Sequence, residues 1–277
     1  MASSLADAGE QSLLRSWRRA RRRDLLWRIF LPLAVIVPVA LIWQWAALRP
    51  GNLLLPTFTS FVTRSVQLLF GRAFWGALVT SESALLIGFG AAFILGVPVG
   101  LAMGRARSLE GVVDPYLNIA VVTPMAIVMP LLLIIFGFTI WSRAIVIFVF
   151  AVPFVIVPCR AGVLTVPPRL LEMARSFGAG ELDLWREVLV PAAIPSIMSG
   201  LRQGFAHALT GMIVAELDLL AVGFGKLLLE FRDNFDSASV FATVFLIICQ
   251  SVLVMLILTQ LERKVGASRV LDVGGGA

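Results

Sequence analysis

The chain has 277 residues, 59% of them hydrophobic and only 14% charged, with a mean hydropathy of +0.93. Soluble domains carry roughly 25% charged residues, so this balance excludes an ordinary soluble enzyme or binding module and points to a membrane. The net charge of +6 does not indicate nucleic acid, because the basic residues stand at the ends of apolar runs and form no aromatic-interleaved patch.

Residues 1–28 form a basic cytoplasmic segment. Leu13, Leu14, Trp17, Leu25 and Trp27 are set among its arginines, a pattern that fits a helix lying on the anionic inner membrane surface or a tail that only sets topology. Residues 29–264 make up the transmembrane part. A bilayer core needs about 20 apolar residues per helix, and six stretches qualify: 29–48, 84–103, a span within 116–142, 144–164, 192–215 and 237–261. The first exceeds the core of a typical signal peptide, so it reads as an uncleaved helix. Most of the 23 Lys and Arg fall on one side when the N-terminus is placed in the cytoplasm, which predicts about six spans with both ends inside. The fold class expected is therefore an all-α membrane protein of about six transmembrane helices with both termini cytoplasmic and short cytoplasmic helices.

Between the first two spans, Leu55-Pro56-Thr57 predicts the start of a short helix through about residue 70, because Pro suits a first turn and Thr caps. In the second span Gly88, Ala92, Gly96, Gly100 and Gly104 recur every four residues on one face, a seam for close helix packing in lipid. In the third span Pro124 and Pro130 predict kinks. The two cysteines, Cys159 and Cys249, lie inside apolar runs without metal-ligand spacing and read as small core residues. Residues 265–277 end in three glycines and predict a flexible tail.

The longest cytoplasmic connection, 160–191, has structure of its own. Pro167-Pro168 marks a helix start. Leu170, Leu171, Ala174 and Phe177 give an apolar stripe, and Gly178 and Gly180 break it. Leu182, Trp185, Val188 and Leu189 repeat the stripe in a second short helix that Pro191 is expected to end. Glu172 is placed to pair with Arg169 or Arg175 on one face, or with a docking partner. Two amphipathic helices of this kind suit a protein dock or the lipid headgroups.

The stretch resembles the EAA loop of bacterial ABC importer permeases: Glu-Ala-Ala, three residues, Gly, nine residues, then Ile-x-Leu-Pro. Here Glu172-Met173-Ala174, Gly178 and Val188-Leu189-Val190-Pro191 stand at the same spacing, with Met173, Val188 and Val190 as apolar replacements. Gly200-Leu201-Arg202, Val214-Ala215-Glu216, Gly223-Phe224-Gly225 and Leu261-Glu262-Arg263 are similar to segments of the nitrate/sulfonate/taurine-type permeases. The resemblance implies that residues 167–191 form a coupling loop for a separate ATPase, with Glu172, Met173, Ala174, Arg175, Gly178 and Pro191 in it. It also implies a dimer of ATPase subunits, a second permease copy, a periplasmic or lipid-anchored binding protein, and a small anionic cargo such as nitrate, a sulfonate, taurine or bicarbonate.

No cofactor is expected on this chain; ATP and Mg belong to the partner ATPase. A phosphate-cradling loop needs G-x-x-x-x-G-K-[ST], and around Gly225-Lys226 the first glycine is replaced by Leu220 and the hydroxyl by Leu227. Catalysis is not expected either: one histidine cannot supply H-E-x-x-H, and no G-x-S-x-G occurs. Candidates for the solute path are Met125 and Met129 beside the prolines, Gln203 and His207 one turn apart, and Glu216. Glu216 and Asp218 are placed near the outer mouth, as contacts for a delivering protein or as water-facing end charges. Ordinary packing competes for the methionines, and a helix–helix hydrogen bond for the histidine. The alternative class is an ATP-independent channel or secondary transporter.

Overall fold

The computed structural model describes residues 34–49, 54–217 and 221–274. The basic segment 1–28, Asp218 and the last three residues lie outside them. The chain divides into two compact units, Met1–Arg64 and Ser65–Ala277.

In the first unit, helix α1 (Ala34–Ala47) leads to the start of α2 (Phe58–Leu69). Thr57 begins α2 as its sequence predicts, its Oγ1 accepting the Ser60 N–H at 3.2 Å. The Trp43 indole donates to the Pro56 carbonyl at 2.9 Å and stacks on Phe61. These contacts tie the end of α1 to the head of α2.

The second unit is a bundle of α3 (Arg72–Arg105), α4 (Arg107–Val122), α5 (Met125–Phe136), α6 (Ile140–Leu164), α7 (Pro168–Ser176), α8 (Glu181–Asp183), α9 (Val190–Ala215), α10 (Gly223–Asp233) and α11 (Ser237–Gly274). Among the described residues, α3, α6 and the Ser237–Gln260 part of α11 are each long and apolar enough to cross a membrane. The predicted third span is not one rod. It is α4 and α5, bent by 111°, because Pro124 drives Thr123 into an extended conformation. Pro130, by contrast, stays inside α5, as prolines do in membrane helices when neighbours satisfy the freed carbonyl. Helix α11 continues to Gly274, so the stretch expected as a flexible tail is helical up to the glycine run.

The seam expected from the glycine stripe is the centre of the bundle. Gly88 rests on Ala144 and Ile147, Gly96 on Val155, Gly100 on Ile156 and Cys159, and Gly104 on Val163. Helices α3 and α6 therefore run parallel with their backbones in contact. Helix α9 lies antiparallel on α6: Gly162 meets Ser196, Gly200 and Gly204 meet Val155, and Gly211 meets Phe150. At 26 residues, α9 is about 39 Å long at 1.5 Å per residue, long enough to accompany α6 throughout. Arg202, Gln203 and His207 make it less apolar than its neighbours.

A Cβ on Gly100 would sit 2.6 Å from the Ile156 carbonyl, while one on Gly90 meets nothing within 4 Å. Gly100→Val is expected to lower bundle stability by about 1–3 kcal/mol or more through overpacking; Gly90→Ala should leave it near wild type. Thermal unfolding in detergent, followed by gel filtration, checks both.

Candidate functional site: the cytoplasmic loop and the polar links of the bundle

Helix α7 opens with Pro168 in its first turn, where the missing N–H costs nothing. It ends in a Schellman turn. Gly178 adopts φ +84°, the Ala179 N–H donates to the Ala174 carbonyl at 3.1 Å and the Gly178 N–H to that of Arg175 at 2.9 Å. Nothing lies within 4 Å of a Cβ built on Gly178, so backbone conformation, not space, selects glycine there. Asp183 then accepts the Gly180 N–H at 2.9 Å and starts the next turn.

Pro191 does not end a helix. The chain passes through a π-helical turn, Leu184–Leu189, directly into α9, with Pro191 in the first turn of α9. The wide turn bonds the Val190 N–H to the Trp185 carbonyl, which accommodates a proline that neither donates nor tolerates a tight i−4 carbonyl. The loop and α9 are therefore one mechanical piece.

One side of the loop is rooted. Leu171, Trp185 and Val188, with Leu189 of the π-helical turn, pack on Leu101, Val155, Cys159, Val163 and Ala193 from α3, α6 and α9. The other side is bare. Phe177 is 86% exposed, and Leu170, Met173 and Leu182 are exposed with it. Glu172 and Arg175 are also exposed, while Ala174 is half-buried. Arg175 pairs with Glu181 at 3.0 Å rather than with Glu172; the Glu172 carboxylate makes no ion pair among the described residues. Glu181 also takes Arg105, at the end of α3, through both oxygens at 3.0 and 3.1 Å. The hydrogen bonds of Arg175 and Arg105 hold the Glu181 carboxyl below its ordinary range, so these links are complete at neutral pH and are lost only in acid, below about 4.5. Arg160 of α6 likewise binds Glu110 and Asp114 of α4.

At the opposite end of the bundle, Glu216 is completely buried, not water-facing as its place beyond a span suggests. Its Oε2 accepts Ser81 Oγ at 2.8 Å and the Gly225 N–H at 3.3 Å, and its Oε1 accepts Arg143 Nη1 at 3.4 Å. Ser81 in turn accepts the Phe224 N–H at 3.0 Å. A carboxylate thus sits at the N-terminus of α10, where backbone N–H groups and the helix dipole favour it, and it joins α3, α6, α9 and α10. Gly223, at φ +56°, passes so close that a Cβ would fall 2.7 Å from Glu216 Oε1.

The remaining path candidates separate. Met129 is 1% exposed and packs with Leu133, Val146 and Ala215. Met125 is half-buried. His207 makes no helix–helix hydrogen bond among the described residues; its ring stacks on Phe154. Gln203 is exposed and donates to Ser199 Oγ at 3.0 Å. Sequence reasoning missed the ion pair of Arg202 with Glu262, 3.1 Å between α9 and α11. The resemblance contained the signal: the Gly-Leu-Arg and Leu-Glu-Arg segments are the two halves of this pair, and Val-Ala-Glu and Gly-Phe-Gly meet at Glu216.

Residues 92–267 match the binding-protein-dependent transport system inner membrane component family. The chain belongs to that family: it is an ABC importer permease subunit. It is 28% identical to the taurine transport system permease protein TauC of Escherichia coli, over 69% of each chain. It is also 28% identical to the putative aliphatic sulfonates transport permease protein SsuC of Bacillus subtilis, over 83% of this chain and 85% of that one. Its fold is that of a solved chain of the MetNI methionine ABC transporter in an inward facing conformation, with a TM-score of 0.58 and 21% identity, covering 72% of this permease and 96% of that chain.

Glu216→Ala leaves the Arg143 guanidinium buried without its counter-charge, which is expected to cost about 3–5 kcal/mol and to lower the thermal midpoint of the detergent-solubilised permease. Glu216→Gln, which keeps an acceptor for Ser81 and Gly225, should cost less in the same measurement.

Proposed function

We propose that this permease moves a small anion from a periplasmic or lipid-anchored binding protein into the cytoplasm by alternating access, driven by ATP hydrolysis on a separate ATPase dimer that docks on residues 167–191. ATP and Mg are bound by that partner. A second copy of this chain completes the path, six spans place both termini in the cytoplasm of a bacterium, and the complex sits in the inner membrane. The observation that carries the reading is the two-sided loop: an apolar tip of Met173, Phe177 and Leu182 stands exposed, while its base is packed into α3, α6 and α9. A tip of that kind offers apolar anchors to a groove. A rooted base transmits a push as a rigid-body movement, because packed interiors deform little. Arg105–Glu181–Arg175 adds a polar strut from the loop to α3.

Taurine and sulfonates, named for the two relatives, set the cargo class proposed here. The solute path runs beside α9, along Gln203, with Met125 at the bend between α4 and α5. Glu172, Ala174 and Gly178 shape the docking turn.

Gly178→Asp replaces a residue at φ +84° and adds a charge to the exposed tip. The variant is expected to insert in the membrane as wild type but to uncouple: uptake by the reconstituted complex falls at least about tenfold, the worth of some 1.4 kcal/mol, while ATP hydrolysis no longer responds to the loaded binding protein. Wild-type coupling in this variant would overturn the docking assignment. Uptake by purified permease without any ATPase would favour the channel class.

A further inference from the structure

Helix α9 presents two unlike faces. Gly200, Gly204, Ala208 and Gly211 are buried on α6, whereas Gln203, Ala206 and Thr210 are exposed, with Ser199 half-exposed beside them. No large aliphatic side chain stands among those four. The exposed face of α11 is the opposite, made of Val252, Leu253, Leu256 and Ile257, as suits lipid tails. Within the helix Gln203 donates to Ser199 and Thr210 to the Ala206 carbonyl. An exposed primary amide nonetheless has more donors and acceptors than that one bond uses and is costly to leave in hydrocarbon, so the α9 face suits water or a solute.

Arg202 flanks this row. Gly200 and Gly204 on either side of it both rest on Val155, which puts Arg202 level with the charge-free stretch of α6 between Arg143 and Arg160. Glu262 holds it at 3.1 Å through Nη1 and 3.5 Å through Nη2, with the two side chains 36% and 28% exposed. An ion pair costs less at this level than a lone cation. A guanidinium has five N–H donors, and Glu262 engages only the two terminal nitrogens.

We propose that Arg202, with Gln203 and Ser199 beside it, is an anion station on the transport path that takes the carboxylate or sulfonate head of the cargo, and that Glu262 keeps the hold loose. This rests on the reading that an anion passes along α9. The planar fork of arginine fits both heads through paired hydrogen bonds. The Glu262 carboxylate repels the second anion across the same guanidinium, and a station in a path must bind weakly enough to release.

The test uses the permease reconstituted with its ATPase and binding protein, with labelled taurine and butanesulfonate as probes. Arg202→Gln is expected to cut uptake by about tenfold or more, the worth of a charge-assisted hydrogen bond, with complex assembly and ATP hydrolysis retained. Glu262→Gln should lower KM and slow turnover. The exchange R202E/E262R should assemble, because the ion pair is restored in reverse, yet remain as deficient in uptake as Arg202→Gln. Recovery of the exchange variant to within about twofold of wild type, or an equal loss of uptake in both single variants, would make the pair a clamp between α9 and α11 and overturn the station. Wild-type uptake of neither sulfonate would overturn the anionic cargo itself, and the station with it.

Discussion

Lipid provides no hydrophobic drive to bring helices together, so this bundle depends on how closely its backbones approach. The contact between α3 and α6 sets everything else. Gly88, Gly100 and Gly104 lay the α3 backbone against carbonyls of α6, and Gly200 and Gly204 do the same from α9. Three helices packed at that distance leave no room for water between them. Polar groups inside must find partners on a neighbouring helix or move to an end.

The charged residues follow that constraint. Glu216 finds Ser81, Arg143 and the N-terminal amides of α10; Arg160 finds Glu110 and Asp114; Arg202 finds Glu262. These pairs are not large stabilisers, since desolvation offsets much of their attraction. The Glu216 cluster also specifies register: a one-turn slip of α9 along α6 would strand Glu216, while the apolar contacts would be largely replaced by similar ones. The polar row of α9 is left uncovered by this arrangement.

The loop is continuous with the bundle. Gly178 reverses the chain at a positive φ, so α7 presents one side outward and roots the other. The π-helical turn before Pro191 fuses the loop to α9. A force on Phe177 therefore reaches the helix that carries Arg202 and Gln203 without crossing a flexible joint. The same continuity ties the loop, at one end of α9, to Glu216, at the other.

Local chemistry made much of this legible from the amino-acid order alone. The apolar runs marked α3, α6 and α11; Thr57 and Pro168 marked helix starts; the four-residue glycine repeat marked the seam; and the glycines of the loop marked its turn. Each depends on neighbours within a turn or two, where period and turn geometry act directly. The tertiary structure alone decided that Pro191 is passed through, that Pro130 stays helical, that Met129 is buried, and that Arg175 pairs with Glu181 rather than Glu172. It also decided that Glu216 is buried and that Arg202 meets Glu262. Ser81 and Glu216 lie 135 positions apart in the chain and Arg202 and Glu262 lie 60 apart. Such partners are chosen by the distance at which helices pack, and no local pattern carries that distance.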